Sequence, residues 1–471
     1  MATLILLAAA LTVSEAFRER GGAPRITTRI HAVSTEFLER VNAGKDLAIR
    51  IEDSFAVAAR DIPEGEVMYS VPIGECIEVG KAEKALSWLG EKATKSLRTG
   101  DFGLLALYVL QEMSAGSGSK YAEYLENLPA SAPGVLGWPA ELLEEYMQST
   151  TRDIAGQISA IKSDWYVIEA AVKASKDKVP IRNDLLDLEA FTLAFGLVKA
   201  YNLYIDGEPI LAPGVEAIQK ETYAESEPVL DSAGMWGGRV LKVVARGERF
   251  KAGDEVIMNC GFRSAAECVE DLGSCPDLDV EDCTCELTAR IDDENEATWD
   301  MYWQDKLNAL EAVEVRPSNK FDLEADDSVE FDPAMIQFLR LKLIRGQDSF
   351  ILESIFTPTC YETMSAPFSK ENEKAVFEFI LSNVQASLVK INKVADAASD
   401  KALIESGDAN DRKTMLAMLR EHERAALESS RTKAETMLRI LDAADTNEYY
   451  QERRLREMDL LRPLEDDEIV P

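Results

Sequence analysis

Histidine and cysteine are the side chains through which this sequence could most readily bind a metal or act as a nucleophile, and both are scarce. The chain contains only two histidines, His31 and His422, among 471 residues. A three-histidine zinc site is therefore excluded, and a Ser-His-Asp arrangement would have to use one of these two side chains. The sequence predicts no metal site.

The cysteines are clustered, because five of the seven lie within 26 residues. The cluster contains no Cys-x-x-Cys pair, and its spacings fit no common zinc ribbon. Two interpretations stay open: ordinary core and loop cysteines, or a redox-sensitive disulfide among them. The clustered residues are Cys260, Cys268, Cys275, Cys283 and Cys285.

The balance of charge limits the possible partners. The chain has 85 acidic and 51 basic side chains, a net charge of −34 and a pI near 4.5. Nucleic-acid binding requires a basic surface that displaces counterions, so we expect no nucleic-acid partner. An acidic surface instead favours a basic or lysine-bearing protein partner.

The N-terminal 35 residues differ from the rest, since they carry a net charge of +2 and the remainder carries −36. Leu4–Val13 is an apolar run of signal-peptide length, followed by an arginine- and hydroxyl-rich stretch at 18–35 that is typical of transit peptides. This order is similar to the two-part leaders of algae with secondary plastids and predicts a plastid protein. The alternatives are the secretory pathway and a short buried N-terminal helix. No later stretch approaches a membrane span, so we expect none in the mature chain.

The body of the chain alternates between strand and helix patterns. Phe55–Ala59 and Val67–Val71 flank a turn-forming sequence at 60–65, which predicts paired strands. The pattern recurs at Val240–Ala245 and Glu255–Cys260, and the long stretch between these β-units has helical periodicity, strongest over Leu188–Tyr204.

From about residue 300 the pattern is nearly all helical. Helices are predicted over Pro333–Arg345, Lys370–Val394 and Asn410–Ala443. The last of these could dock a partner or pack its apolar face within the protein. A sheet split by a helical insertion and followed by a helical region is an α+β arrangement.

Six fragments, in order along the chain, resemble SET-domain protein-lysine methyltransferases of the Rubisco large-subunit methyltransferase type. The likeness covers roughly residues 36–460. The fragments include the strand signature A-x-x-D-I-x-x-G-E, the helical Y-L…L-P signature and the helix before the cofactor motif. The fragments are Phe55–Pro72, Ser119–Pro129, Phe191–Tyr204, Leu211–Glu221, Gly253–Gly273 and Met418–Glu423.

The resemblance implies a domain organisation. We expect a leader at 1–35 and a SET-like domain at 36–298, whose small β-sheets are split by a helical insertion at about 95–185. An all-helical domain similar to the family's substrate-binding domain is expected at 299–460, with an acidic tail at 461–471.

The resemblance also implies methyl transfer from S-adenosylmethionine to a protein lysine, but the motif residues differ from the family pattern. Glu216 stands where the family has Asp, and Gln219-Lys220 stand where it has Asn-His. Lys220 would repel a positive sulfonium. The residues placed by position at the cofactor are Phe55, Ala56, Glu216, Gln219 and Lys220.

Cys260 occupies the position of the tyrosine whose hydroxyl orients the amine in the family. A thiol is a weak hydrogen-bond donor and cannot place an oxygen there. Two functions therefore stay open: an active lysine methyltransferase, or a catalytically inactive SET-fold module that binds protein in the plastid.

Individual residues carry alternatives of the same kind. Glu216 is either a site acid or a surface glutamate after a turn, and Cys260 is either a reactive thiol or a buried strand cysteine. Trp138 and Tyr124 either line a groove or pack in the core.

Overall fold

The computed structural model describes residues 33–443 except 44–45, 53–54, 176–178, 222–223, 233–237, 247–249, 262, 277, 292–299, 354–355 and 408–410. The predicted leader, apart from residues 33–35, and the predicted acidic tail lie outside the described residues. Two compact units divide the chain. Unit 1 comprises Met1–Met147, Asp153–Pro276 and Gly407–Leu416, and unit 2 comprises Gln148–Arg152, Asp277–Ser406 and Ala417–Pro471.

Unit 1 contains short strands at both ends of a helical insertion. The elements in chain order are α1 (Thr35–Val41), β1 (Ile49–Glu52), β2 (Phe55–Ala58), β3 (Val67–Pro72), β4 (Ile77–Glu78), α2 (Val79–Ala85), α3 (Glu91–Lys95), α4 (Gly100–Ala115), α5 (Ala122–Asn127), α6 (Ala140–Ser149), α7 (Ile154–Ser175), α8 (Leu188–Tyr201), β5 (Leu203–Ile205), β6 (Glu208–Leu211), β7 (Gln219–Glu221), β8 (Ser226–Ser232), β9 (Arg239–Ala245), β10 (Ile257–Asn259) and α9 (Ala265–Glu267). A π-helical turn, Cys268–Leu272, follows α9 directly.

The strands form small sheets that join distant parts of the sequence. The sheet orders are β1-β2, β3-β9-β8, β4-β6-β5 and β7-β10, and the last pair is parallel. The prediction that the two apolar runs before and after residues 60–65 pair with each other is wrong. Each run pairs elsewhere, β2 with β1 and β3 with β9, because the turn itself is bound to the later β-unit through a bridge between Ile62 and Phe250.

The insertion is built around α4, which is apolar on almost every side. Its residues from Gly103 to Leu110 are all buried, and it packs against α8. A helix that is hydrophobic all round belongs in a core. The predicted helix over Leu188–Tyr204 ends three residues early, because the Asn202 side chain donates to the carbonyls of Val198 and Lys199 and strand β5 follows.

Unit 2 is mostly helical. Its elements are the last part of α6, β11 (Thr284–Arg290), α10 (Trp303–Glu311), β12 (Ser318–Glu324), α11 (Pro333–Leu343), α12 (Thr357–Thr363), α13 (Lys370–Val394), α14 (Ala397–Ser406) and most of α15 (Arg412–Ala443). The predicted helix Lys370–Val394 is confirmed with both ends.

The expectation of a nearly all-helical pattern in this region does not hold at the strand β12. It pairs antiparallel with β11 over seven residues, from Thr284↔Glu324 to Arg290↔Ser318. Its side chains alternate in exposure, with Leu323 buried, which is a period of two and not the helical period.

None of the described helices is both long and apolar enough to cross a membrane. No disulfide joins the cysteines, and Cys268, Cys283 and Cys285 are buried. Burial raises the pKa of the Cys283 thiol to about 12, which disfavours the reactive thiolate.

Asp164, a fully buried carboxylate on α7, organises the start of α4. It accepts hydrogen bonds from the backbone N–H groups of Arg98 at 2.6 Å and Thr99 at 2.9 Å, and from the Thr99 hydroxyl at 2.5 Å. We expect Asp164→Ala to lower the free energy of unfolding by about 3 kcal/mol, because it removes all three hydrogen bonds to this buried charged acceptor. Chemical denaturation of the full chain measures this loss.

The matched control is Asp184→Ala, which removes an exposed ion pair with Arg182. Exposed pairs contribute about 0–1 kcal/mol, so this variant should change little. Equal effects of the two substitutions would contradict the role of Asp164.

Candidate functional site

Backbone hydrogen bonds bring three separate motif fragments of unit 1 side by side. The N–H of Val256 donates to the carbonyl of Ala56 at 2.8 Å, and the N–H of Ala58 donates to Asp254 at 2.8 Å. One residue further on, β10 pairs in parallel with β7, so that Met258 lies opposite Lys220. Segments near residues 56, 220 and 258 therefore form one continuous backbone surface.

Glu216 lies just before this surface, on a short 3-10 turn over Val215–Ala217. The turn follows Gly214, whose φ of +86° is in the left-handed region. A Cβ at this position would lie 2.5 Å from the Tyr69 hydroxyl and 2.6 Å from Leu38, so glycine is required both by conformation and by space. The sharp turn directs Glu216 into the core.

The Glu216 carboxyl is buried, with 4% of the residue exposed, and neither oxygen has a hydrogen-bond partner. Burial raises its pKa to about 8; the backbone N–H groups of Glu216 and Gly214, which lie near the carboxyl without meeting hydrogen-bond geometry, and the charge of Lys220 oppose this shift by smaller amounts. The interpretation of this residue as a surface glutamate is therefore wrong. A buried carboxyl without a partner is costly and is a frequent mark of a binding site.

Three phenol groups lie close enough to this carboxyl to feel its charge. Burial first, and the Glu216 charge second, raise the pKa values of Tyr69, Tyr124 and Tyr201. The Tyr69 hydroxyl donates to the carbonyl of Pro213 at 2.7 Å, whereas the buried Tyr124 hydroxyl has no hydrogen-bond partner. The result is a buried environment of one acid and three aromatic side chains, a combination whose electrostatics favour a cationic group.

Lys220 does not point its ammonium into open space. Its Nζ donates to the carbonyls of Ala200 at 3.0 Å and Asn202 at 2.7 Å, which are at the C-terminal end of α8. Lys220 thereby caps orphan carbonyls of the helix. Burial, together with the positive charge of Arg263, lowers its pKa to about 7. The sequence leads us to expect that Lys220 repels a bound cation. Its hydrogen bonds to the two carbonyls and its lowered pKa both reduce that repulsion.

Cys260 follows β10 directly and is half-buried. Its Sγ lies 3.7 Å from the carbonyl of Gly261, a weak contact. Because Met258 of β10 pairs with Lys220 of β7, Cys260 follows two residues after the partner of Lys220. The backbone pairing thus places the segments of Cys260 and Lys220 next to each other in unit 1.

The remaining predicted residues are divided between surface and core. Phe55 is 40% exposed at the start of β2, and the neighbouring Ala56 is buried. Gln219 is exposed on β7, beside Lys220. Trp138 is buried, donates its Nε1 hydrogen to Pro133 at 3.2 Å and packs edge-on against Tyr146, so it serves the core.

The segment after Cys260 carries a charged cluster that the sequence analysis missed. Asp271, on the π-helical turn, makes ion pairs with Lys199 at 3.1 Å and Arg263 at 3.3 Å. The turn is preceded by a capping box in which Ser264 and Glu267 satisfy each other's backbone N–H groups. The S-x-x-E spacing was a readable signal, but the partner Lys199 lies 72 positions away from Asp271 and no local pattern reveals it.

Tyr69 and Tyr201 were also missed. Both lie in segments that the sequence identifies only as strand and helix, and their approach to Glu216 is a product of the tertiary fold. Within the described residues, no group of His, Cys, Asp and Glu side chains is arranged to hold a metal ion.

The first comparison with known proteins concerns a region that lies mostly in unit 2. The family described as Rubisco LSMT substrate-binding matches residues 298–427. Over 424 residues the chain is 25% identical to the ribulose-1,5 bisphosphate carboxylase/oxygenase large subunit N-methyltransferase, chloroplastic, of Nicotiana tabacum, covering 86% of this chain and 80% of that protein. Over 430 residues it is 26% identical to the fructose-bisphosphate aldolase-lysine N-methyltransferase, chloroplastic, of Arabidopsis thaliana, covering 86% and 81%.

The solved structure described as the SET domain of LSMT bound to lysine and AdoHcy has a TM-score of 0.70 and 21% identity, over 92% of this chain and 96% of that chain. The structure described as Rubisco LSMT bound to AdoMet has a TM-score of 0.66 and 20% identity, over 92% and 96%. The predicted fold class, SET-type small sheets split by helices and followed by a helical substrate-binding-like region, is confirmed.

Glu216 and Lys220 should make stability depend on pH in opposite directions. The Glu216 pKa rises on folding from 4.5 to about 8, so its contribution to stability falls as pH increases across that window. The Lys220 pKa falls on folding from 10.5 to about 7, so its contribution rises with pH from about 7 upward. Each slope is at most about 1.4 kcal/mol per pH unit, the value for one proton.

Denaturation at a series of pH values, with Glu216→Gln and Lys220→Met beside the unaltered protein, tests both slopes. Glu216→Gln should gain relative stability between pH 5 and 8, and Lys220→Met should lose relative stability above pH 7. The exposed Glu208 supplies the control Glu208→Gln. A constant difference from the unaltered protein at every pH would contradict the assignment.

Proposed function

Because this chain is a SET-fold protein of the Rubisco large-subunit methyltransferase type, we propose that it methylates a lysine of a protein partner with S-adenosylmethionine as methyl donor. The observation that carries the proposal is the buried, unpartnered carboxyl of Glu216 among three phenol groups. It lies where the resembling family has an acidic residue in its cofactor motif.

The charge of this reaction suits such a site. S-adenosylmethionine supplies an electrophilic methyl group on a positively charged sulfur. The neutral lysine nitrogen that receives the methyl group takes over the positive charge, so the site holds one positive charge before and after transfer. The single carboxylate of Glu216 offsets that charge in a place from which water is excluded.

The same carboxyl is the reason that this cofactor fits the chain. Without a bound cationic ligand, burial keeps Glu216 largely protonated at neutral pH, since its pKa is about 8. A bound cation stabilises the carboxylate and lowers that pKa. Binding of the cationic ligand therefore releases a proton and strengthens as the pH rises toward 8.

Other residues take their roles by position. Phe55, Ala56, Gln219 and Lys220 would hold the cofactor together with Glu216, on the surface where β2, β7 and the segment before β10 meet. Because Lys220 donates its Nζ hydrogens to Ala200 and Asn202, it holds β7 against α8 and leaves the carboxyl of Glu216 to the ligand.

The partner that we propose is a basic or lysine-bearing protein in the plastid. The net charge of −34 supports attraction to such a partner. The two relatives are named for Rubisco large subunit and fructose-bisphosphate aldolase, and both are named chloroplastic. The leader-like residues 1–35 support the same compartment.

A second candidate, a protein-binding module without catalysis, is favoured by one observation. Cys260 stands where the family has its tyrosine, and a thiol is a weak hydrogen-bond donor that cannot place an oxygen at that point. If the chain is an active methyltransferase instead, another hydroxyl has to orient the amine. Tyr124 offers one, since its buried hydroxyl has no hydrogen-bond partner.

Two measurements on the purified full chain separate the candidates. Calorimetry with S-adenosylmethionine measures cofactor binding, and mass spectrometry of Rubisco and aldolase after incubation measures methylation. We expect saturable binding and the addition of methyl groups to a lysine of one of these proteins. Folded protein that neither binds the cofactor nor methylates these proteins would support the protein-binding module instead.

Glu216→Gln tests the residue that carries the proposal. It keeps the shape of the side chain but removes the negative charge, so we expect kcat to fall by about 100-fold or more, in the range seen when one electrostatic contact to a transition state is removed. Glu208→Gln is the matched control and should retain full activity. Unchanged kcat in Glu216→Gln would refute the role of the carboxylate.

A further inference from the structure

Unit 2 contains a cavity of about 600 Å³ that none of the roles described above uses. It is enclosed by the loop between β12 and α11, the first turns of α11, the loop before α13, the start of α13 and residues 432–437 of α15. Its volume is in the range of pockets that bind ligands or peptide side chains. Most of its lining residues lie within the region that matches the Rubisco LSMT substrate-binding family.

The floor of the cavity is polar but electrically neutral. Arg340 and Glu373, both buried, form a two-pronged ion pair with distances of 2.5 Å from Nε and 3.1 Å from Nη2. The Nη1 group of Arg340 donates to the carbonyls of Met364 and Ser365 at 3.0 and 2.8 Å. A floor with its charges already matched does not require a charged occupant.

The walls are apolar. Phe331 and Phe377 face each other with ring centroids 6.2 Å apart, and Ile336 and Met437 complete the lining. Val329, at the mouth, is 38% exposed, although a large aliphatic side chain gains from burial. These walls suit a large apolar side chain.

The mouth of the cavity is acidic. Residues 326–332 (DDSVEFD) contain four acids in seven positions, and the exposed Asp327 and Glu330 lie on either side of Val329. Lys433 also lies in the lining, where its Nζ donates to the carbonyl of Glu324 at 2.9 Å, and its single positive charge beside Asp326 and Asp327 leaves the four acids in excess. The mouth therefore attracts positive charge next to the apolar walls.

We propose that this cavity docks a segment of a basic protein partner in which a large apolar side chain is flanked by lysine or arginine. The apolar side chain packs against the paired rings of Phe331 and Phe377, beside Ile336 and Met437, and the flanking cations contact Asp327 and Glu330. The inference rests on the proposal that this chain binds protein, and not on methyl transfer.

Fluorescence anisotropy with the full chain tests the docking in the absence of S-adenosylmethionine, so a failure of methyl transfer leaves its result intact. The probe is a fluorescein-labelled peptide in which leucine and phenylalanine alternate with lysine. Two control peptides carry serine at the apolar positions or glutamate at the lysine positions. We expect saturable binding of the probe and at least about ten-fold weaker binding of each control, since each loses one of the two contributions.

Variants at the mouth locate the binding. Glu330→Lys should weaken the probe by about five-fold because it reverses a charge at the contact. Glu311→Lys makes the same change in net charge on the exposed surface of α10 and should weaken it by less than about two-fold. Val329→Asp should weaken the probe while leaving far-ultraviolet circular dichroism unchanged, because this side chain is already part-exposed.

Several results would overturn the proposal. One is equal weakening by Glu330→Lys and Glu311→Lys, which would reveal general charge attraction. Another is equal affinity for the probe and the serine peptide, which would remove the apolar contact. A lack of saturable binding of the probe would also overturn it.

Discussion

The candidate site depends on backbone hydrogen bonds between strands that are almost two hundred residues apart. The bond from Val256 to Ala56 fixes the first β-unit against the last, and the parallel pairing of β10 with β7 adds the segment that carries Lys220. Because these bonds join backbone atoms, they are insensitive to the identity of most side chains. Motif residues can therefore differ from those of relatives while the surface that they form is kept.

The sequence predicted features that depend on local patterns better than features that depend on contacts between distant segments. The helix Lys370–Val394 was predicted with both ends, because the apolar spacing that indicates it is contained in the segment itself. Strand pairing was predicted less well, since the turn at 60–65 looks like a hairpin but is bound to Phe250. The strand Ser318–Glu324 was missed because its alternation is short and its partner lies elsewhere.

The site shows the same limit more strongly. Cys260, Glu216 and Lys220 were selected by position in a resembling pattern, and the fold does bring their segments together. Contacts between distant residues produce the burial of Glu216, its proximity to three phenol groups and the attachment of Lys220 to α8. No periodicity or spacing encodes such contacts, so the electrostatic character of the site became visible only in three dimensions.

The attachment of Lys220 has a consequence for how this sequence can change. Its long side chain spans from β7 to two carbonyls at the end of α8, a distance that the shorter imidazole of histidine does not cover in the same way. Replacing it with the family's histidine would leave those carbonyls without their donor. A return to the family residue therefore has to be accompanied by a new cap for the helix. Residue 220 and the residue that supplies the new cap therefore depend on each other. The order in which these two residues mutate decides which evolutionary routes are open.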